Sequence, residues 1–314
     1  MQREGSPWQG LGVVISKEVS DQVTSIRMFV VELLVVLIAV ATLLFATEQV
    51  RNTTAEDPFL LLRLFTTSQE PFPSFVTFLS LLLPLVAIAL GFDSVNGEHN
   101  RRTLSRILSQ PIYRDALLFG KFIAGLITLS ISLVVLWLLV IGLGLIQLGV
   151  PPSADEIIRA FIFLLIAIAY AGVWLALALL FSIVFRSAAT AALVTLGLWF
   201  LLTLIWPTVA PRIALALIPS DDINTLIFGV QTAARLSPIT LFNEAMSTIL
   251  DPSARTLGPI YLYLPQLQGA VLGAPLPVGQ SLLIVWPQIV GLVAGTILLF
   301  VIGYIVFQRQ EVRA

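Results

Sequence analysis

Leu117–Leu148 reads LLFGKFIAGLITLSISLVVLWLLVIGLGLIQL, a run in which Lys121 is the single charged residue. A helix rises about 1.5 Å per residue, so about 20 such residues cross a hydrocarbon core about 30 Å thick. Five more runs of this kind surround it, at 28–46, 72–91, 157–185, 188–206 and 282–307. Only helices or closed barrels satisfy every backbone N–H and C=O in lipid, and these runs lack the alternation of barrel strands. The fold class is therefore all-α integral membrane, with six transmembrane helices. Composition agrees: 58% of residues are apolar and 11% charged, against about half and a quarter in a soluble domain.

Residues 1–27 read as a cytoplasmic amphipathic leader and 28–314 as a single six-span domain, with a long external segment at 207–281. The chain has no cysteine, which excludes disulfide frameworks, thiolate metal sites and cysteine nucleophiles. Its one histidine, His99, excludes sites that need several imidazoles. The first apolar run follows a polar, partly charged leader, and no small-residue cleavage site follows it. The first helix is expected to stay as an anchor.

Six spans put both termini on one side of the membrane, and basic residues favour the cytoplasmic side. With cytoplasmic termini, the inner segments hold eleven Lys and Arg residues and the outer segments six. The outer segments also hold ten acidic residues, Glu48, Glu56, Asp57, Glu70, Asp155, Glu156, Asp221, Asp222, Glu244 and Asp251. Both termini are expected in the cytoplasm, with the protein in the plasma (cell inner) membrane.

In the leader, Leu11, Val14, Ile15, Val19, Val23 and Ile26 recur at helical spacing, while Lys17, Ser20, Asp21 and Thr24 fall elsewhere. Such a helix either lies on the inner membrane surface among the lipids or packs on the protein's own helix ends. The 207–281 segment is too long for a structureless loop. Ser237-Pro238 reads as an N-cap with proline at the first helical position, and Ile239, Phe242, Ala245, Met246, Ile249 and Leu250 follow on one face. A partner stripe at Ile223, Leu226, Ile227 and Val230 completes an expected external helical lid.

Between the second and third runs, 92–120 reads FDSVNGEHNRRTLSRILSQPIYRDALLFG. From Glu98 to Ser109, Leu104, Ile107 and Leu108 share one helical face, with Arg101, Arg102, Ser105, Arg106 and Ser109 around the rest. Pro111 ends this helix and Asp115 can cap the next. A short cytoplasmic helix held between two spans suits a groove on a soluble partner, with apolar anchors and arginines for partner carboxylates. An ordinary basic loop on anionic headgroups is the other reading of the same residues.

These residues resemble those of the membrane subunits of ABC-2-type transporters, including the permeases grouped with nitrous-oxide-reductase maturation and copper processing. The inner-loop pattern of that family corresponds here to Asp93, Glu98, Thr103, Leu104, Ile107, Leu108, Pro111, Arg114, Gly120 and Lys121. Asn100-Arg101-Arg102 departs from it, where many members carry a further acidic residue and a glycine. The resemblance covers nearly the whole chain, including the leader, Arg186 in a tight inner turn, Ser237-Pro238 and the basic tail.

The resemblance implies a permease paired with a second one, as homodimer or heterodimer, on two cytoplasmic ABC ATPase subunits. ATP and Mg would be bound by those partners, and this chain would carry no cofactor. The segment around Glu98 to Leu108 would be the coupling helix. Its ATPase-coupling interface would comprise Asp93, Glu98, Arg101, Arg102, Thr103, Leu104, Arg106, Ile107, Leu108, Pro111, Arg114 and Lys121. Direction, as an exporter, follows from the family alone.

Neither lysine, Lys17 nor Lys121, has the glycine-rich context of a phosphate-cradling loop. No span carries paired carboxylates, HExxH or GxSxG. The chain is read as no enzyme, with no nucleic-acid partner. Glu32, an acidic residue inside a span, is a functional candidate or pairs locally near Arg27. Trp137, Trp174, Trp199, Trp206 and Trp286 read as packing or interface residues, and Gly142, Gly144, Gly172, Gly197, Gly291 and Gly295 as sites of close helix contact. The Asn52-Thr53-Thr54 sequon carries no assigned role. A stand-alone secondary transporter and a non-transporting anchoring subunit are the alternatives. The chain shows no internal repeat, which weakens the first of these.

Overall fold

The computed structural model describes residues 10–52, 59–68, 70, 72–100, 114–217, 223–254, 257 and 275–310. All regular elements among them are helical. In chain order they are α1 (Leu11–Val23), α2 (Ile26–Asn52), α3 (Leu60–Thr66), α4 (Phe75–Gly91), α5 (Asn96–Asn100), α6 (Arg114–Leu148), α7 (Ala154–Val184), α8 (Ala188–Phe200), a π-helical turn (Leu201–Ile205), α9 (Trp206–Leu217), α10 (Ile223–Ala234), α11 (Pro238–Leu250) and α12 (Val278–Arg309). Among the described residues six helical stretches are long and apolar enough to cross a bilayer: Ile26–Glu48, Phe75–Glu98, Arg114–Leu148, Ala154–Val184, Ala188–Leu217 and Val278–Arg309.

The core is built around α7, whose residues from Ile166 to Ile183 are buried or half-buried on every side. A helix that is apolar all round belongs in the centre of a bundle. Ala160, Ala167, Ala171 and Ala178 are all fully buried on it, and such small side chains let neighbours approach closely. The tightest approach to α7 is at Gly91 of α4, where a Cβ would stand 2.7 Å from the Cβ of Ala178. The expected small-residue contacts hold at Gly144, Gly172 and Gly291, whereas Gly142, Gly197 and Gly295 face open space.

Contacts along α7 fix the directions of its neighbours. Tyr170 meets Ser80 and Ser182 meets Val95, so α4 and α7 run the same way. Arg159 meets Ser281 and Ile183 meets Gln310, so α12 does as well. Trp137 meets the carbonyl of Ala160 while Leu175 packs over Gly125, so α6 runs opposite. One end of the bundle thus gathers α1, residues 92–100, the start of α6, residues 182–186 and the end of α12. It is called the proximal end below, and the other the distal end.

Prolines inside helices free carbonyls, and at two of them a hydroxyl from elsewhere in the chain takes the freed oxygen. Pro84 cannot donate to the carbonyl of Ser80, four residues back. Tyr170 Oη donates to that oxygen instead (2.8 Å), while its ring stacks on Phe242 of α11 at 4.5 Å. Tyr170→Phe keeps the stack and orphans the carbonyl. It is expected to cost about 1–2 kcal/mol in reversible unfolding in detergent.

The same logic explains why the fifth helix runs on to Leu217, past the Trp206 boundary expected from the apolar run. In the π turn the N–H of Trp206 bonds the carbonyl of Leu201. The next π donor, for Leu202, would be Pro207, which has none. Ser237 Oγ donates to Leu202 O at 2.5 Å. Ser237 was expected to cap α11. Pro238 does begin that helix, but the Ser237 side chain makes no cap bond.

One element was not expected. Helix α3 buries Leu61, Leu62, Leu64 and Phe65, with the Phe65 ring edge-on to Phe75 and Phe163. Its start is held by Glu156 of α7, which accepts from the Leu61 N–H (2.8 Å) and also closes a capping box with Ser153. The leader, for its part, packs on the protein itself. Helix α1 lies along α6 rather than away from it, with Val14 against Gly120, Glu18 at Lys121 and Gln22 at Thr128. These pairs advance together, so the two helices run in the same direction. The buried face of α1 therefore includes Glu18, beside the apolar stripe read from sequence, while Val23 is exposed.

Candidate functional site

Charged residues are scarce in this chain, and at the proximal end they converge. Lys121 sits in the second turn of α6, and its side chain is only 3% exposed. Its Nζ donates to Glu98 Oε1 at 2.8 Å and to Glu18 Oε1 at 3.0 Å. Glu98 lies on α5, just before the 101–113 segment, and Glu18 on α1. One buried ammonium thus joins three elements. Two carboxylates around one cation satisfy the desolvated charge that either pair alone would leave underpaired.

Helix α1 reaches this depth because Gly120 clears the way. A Cβ there would stand 2.5 Å from Val14 Cγ1, closer than any side chain tolerates. Lys17 flanks the cluster, bonding Glu18 at 3.2 Å and Asp21 at 3.1 Å. Burial pulls the Lys17 ammonium down, but those carboxylates outweigh it and hold it above the usual lysine range. Across a polar cleft of about 450 Å³, Arg27 at the start of α2 pairs with Asp93 at 3.0 Å and lies over the Phe92 ring.

The described residues on either side of 101–113 are fixed to the bundle. On the entering side, the backbone N–H groups of Val95 and Asn96 donate to Ser182 Oγ (3.0 and 3.3 Å). Asn96 Nδ2 and Asn100 Nδ2 donate to the carbonyls of Phe185 and Arg186. On the leaving side, Arg114 donates to the carbonyl of Gln310 (3.0 Å). Asp115, expected to cap α6, instead accepts from Tyr304 Oη (3.0 Å) and from Gln308.

Of the residues singled out from sequence, Glu98 and Lys121 are brought into direct contact. Asp93 and Arg114 lie nearby with partners of their own. Arg101, Arg102, Thr103, Leu104, Arg106, Ile107, Leu108 and Pro111 lie outside the described residues. Sequence reading missed Glu18, Arg27 and Ser182. Glu18 carried a usable signal, being a carboxylate at position i+4 from Val14 on the apolar face of α1. Glu32 accepts from Ser132 Oγ of α6 at 2.8 Å, so it faces a neighbouring helix rather than Arg27.

A second polar cluster organises the distal end. Arg159 is completely buried. It donates to Asp155 (2.7 Å), the carbonyl of Ile249 (3.0 Å), Ser281 Oγ (3.2 Å) and the carbonyl of Leu276 (2.5 Å). It ties α7, the end of α11 and the start of α12 together. Glu244 of α11 accepts from Arg235 and from Gln288 of α12, both at 2.8 Å. Among the described residues no group of His, Cys, Asp and Glu is arranged to hold a metal ion.

Six bilayer-length helices among the described residues define a multi-pass membrane protein. The chain belongs to the ABC-2 family of transporter proteins, whose sequence profile matches residues 13–312. It is similar to a probable ABC transporter permease protein NosY of Stutzerimonas stutzeri, 25% identical over 252 residues that cover 78% of this chain and 82% of that one. A probable ABC transporter permease protein NosY of Pseudomonas aeruginosa is 29% identical over 148 residues, 45% of this chain and 52% of the relative.

Proposed function

We propose that this chain is the membrane-spanning permease of an ATP-binding cassette exporter, driven by two separate cytoplasmic ATPase subunits. The proximal end faces the cytoplasm, in the cell inner membrane, and a second permease completes the passage. The segment from Glu98 to Leu108 seats in a cleft of the ATPase. Leu104, Ile107 and Leu108 are its apolar anchors, and Arg101, Arg102 and Arg106 meet acidic groups on the partner.

The observation that supports this best is the bond from Lys121 to Glu98, which joins the first residue of the segment to the helix after it. A push on a free loop would be absorbed by the loop. A push on a segment with Asn96 and Asn100 held at one end, Arg114 at the other and Lys121 across both moves α4 and α6 as a body. ATP and Mg are bound by the partner, whose closure on ATP carries the segment inward, and hydrolysis resets it.

The test is co-purification from membranes. A tagged wild-type chain is expected to retain an ABC ATPase. Leu104→Asp with Leu108→Asp places two charges in an apolar cleft and is expected to weaken binding about 100-fold or more. Retention of the ATPase at wild-type level by that variant, itself correctly inserted, would remove the proposed interface.

A further inference from the structure

The expected drive runs through the two helices that flank the 101–113 segment. The proximal contacts add a third. Helix α1 is not a passenger on the bundle surface: it docks along α6 through Val14 at Gly120, Glu18 at Lys121 and Gln22 Oε1 accepting from Thr128 Oγ1 (2.8 Å). These contacts are apolar, ionic and hydrogen-bonded in turn, and they cover two turns of each helix. The buried Lys121 ammonium serves α1 and α5 at once, so neither Glu18 nor Glu98 can leave without exposing the other's cation.

The connection from α1 to α2 is equally stiff. Thr24 and Ser25 make the whole turn, and the Ser25 hydroxyl donates to the Gln22 carbonyl (2.9 Å) while accepting from the Met28 N–H (3.2 Å). One hydroxyl thus closes the end of α1 and caps the start of α2. Two residues further on, Arg27 grips Asp93 beyond the end of α4. Helix α2 is therefore tied to the 92–100 region from both directions, once through α1 and Lys121 and once through Arg27.

We infer that α1 and α2 form a third driven element of the transport unit, and that Glu18 is the positioning residue that engages it. Displacement of the 98–108 segment pulls Lys121 with Glu98, and Lys121 carries Glu18, α1 and, through the Ser25 turn, the first span. This inference rests on the ATPase-driven reading above. Glu18 touches neither nucleotide nor substrate. It acts through Lys121.

The chain has no native cysteine, so V13C, I127C and I297C can be labelled in pairs with nitroxides. Val13 on α1, Ile127 on α6 and Ile297 on α12 all present exposed side chains. Pulsed electron–electron distance measurements are made on the complex with its ATPase subunits, before and after Mg and a non-hydrolysable ATP analogue. The expected result is that the Val13–Ile297 and Ile127–Ile297 distances shift together while Val13–Ile127 stays constant. In Glu18→Gln, which keeps a hydrogen-bond acceptor for Lys121 but no charge, the Ile127 shift is retained and the Val13 shift is reduced or broadened. Glu18→Asp restores it.

A moving Ile127 with a stationary Val13 overturns the inference and leaves the ATPase-driven reading standing. A Val13 shift identical in wild type and Glu18→Gln removes Glu18 from its role. If neither label responds to nucleotide in a complex that binds it, the driven reading itself fails, and this inference with it.

Discussion

Lys121→Met is expected to lower the stability of the protein by about 3–5 kcal/mol, because it leaves two buried carboxylates facing each other without their shared cation. Glu18 and Glu98 keep only 12% and 16% of their side chains exposed, so water from the adjoining cleft replaces the ammonium only in part. Methionine fills much the same volume as the lysine stem, so lost packing contributes little. The charge account makes a second demand. In a double-mutant cycle, Glu98→Gln should hurt the wild-type protein but partly rescue Lys121→Met, since it removes one of the two opposed charges. Amide exchange adds a spatial check, with protection lost first in α1 and in residues 92–100. Additive single and double mutants would mean that Lys121 matters through its stem and not its charge.

Arg159→Met is expected to be as damaging, at about 3–5 kcal/mol, and at the opposite end. The guanidinium is fully buried and serves one carboxylate, one hydroxyl and two carbonyls. Each carbonyl orphaned by its removal costs about 1–3 kcal/mol, offset in part where water can enter. The exchange pattern should be the reverse of the Lys121 variant, with α11 and the start of α12 losing protection while α1 keeps it. The two variants therefore control for each other. Similar loss at both ends in both variants would mean that each merely unfolds the whole bundle.

The membrane-spanning helices were legible because the bilayer imposes one requirement on every span, and long apolar runs are its direct trace. Where the structure departs from those runs, a local rule was overridden by a distant partner. Pro207 ordinarily stops a helix, yet a π turn and Ser237 absorb its missing donor, and the helix continues to Leu217. Helix α3 is seven residues long, too short to be stable on its own. It exists because Glu156, distant in sequence, caps it.

The candidate site was legible only in outline. The family pattern singled out Asp93, Glu98 and Lys121, but such a pattern does not say which residues meet. Glu18 escaped notice because it lies on an apolar stripe, where a charge reads as an interruption. Its meaning depends on Lys121, which stands in another helix. Lys121 was singled out through the family resemblance as an interface residue, not as the partner of Glu18. Each residue explains the other, and neither is interpretable alone. Glu32 was read against nearby Arg27 for the same reason, whereas its partner is Ser132.

The claim that matters most is that the segment between α5 and α6 is where an ATPase engages. Since the chain has no cysteine of its own, a single L108C gives one site for a thiol-reactive bifunctional cross-linker in native membranes, with S247C on α11 as the control from the distal end. An adduct between this chain and an ABC ATPase is expected from L108C and none from S247C. An adduct absent from L108C, or formed equally from S247C, would contradict the claim.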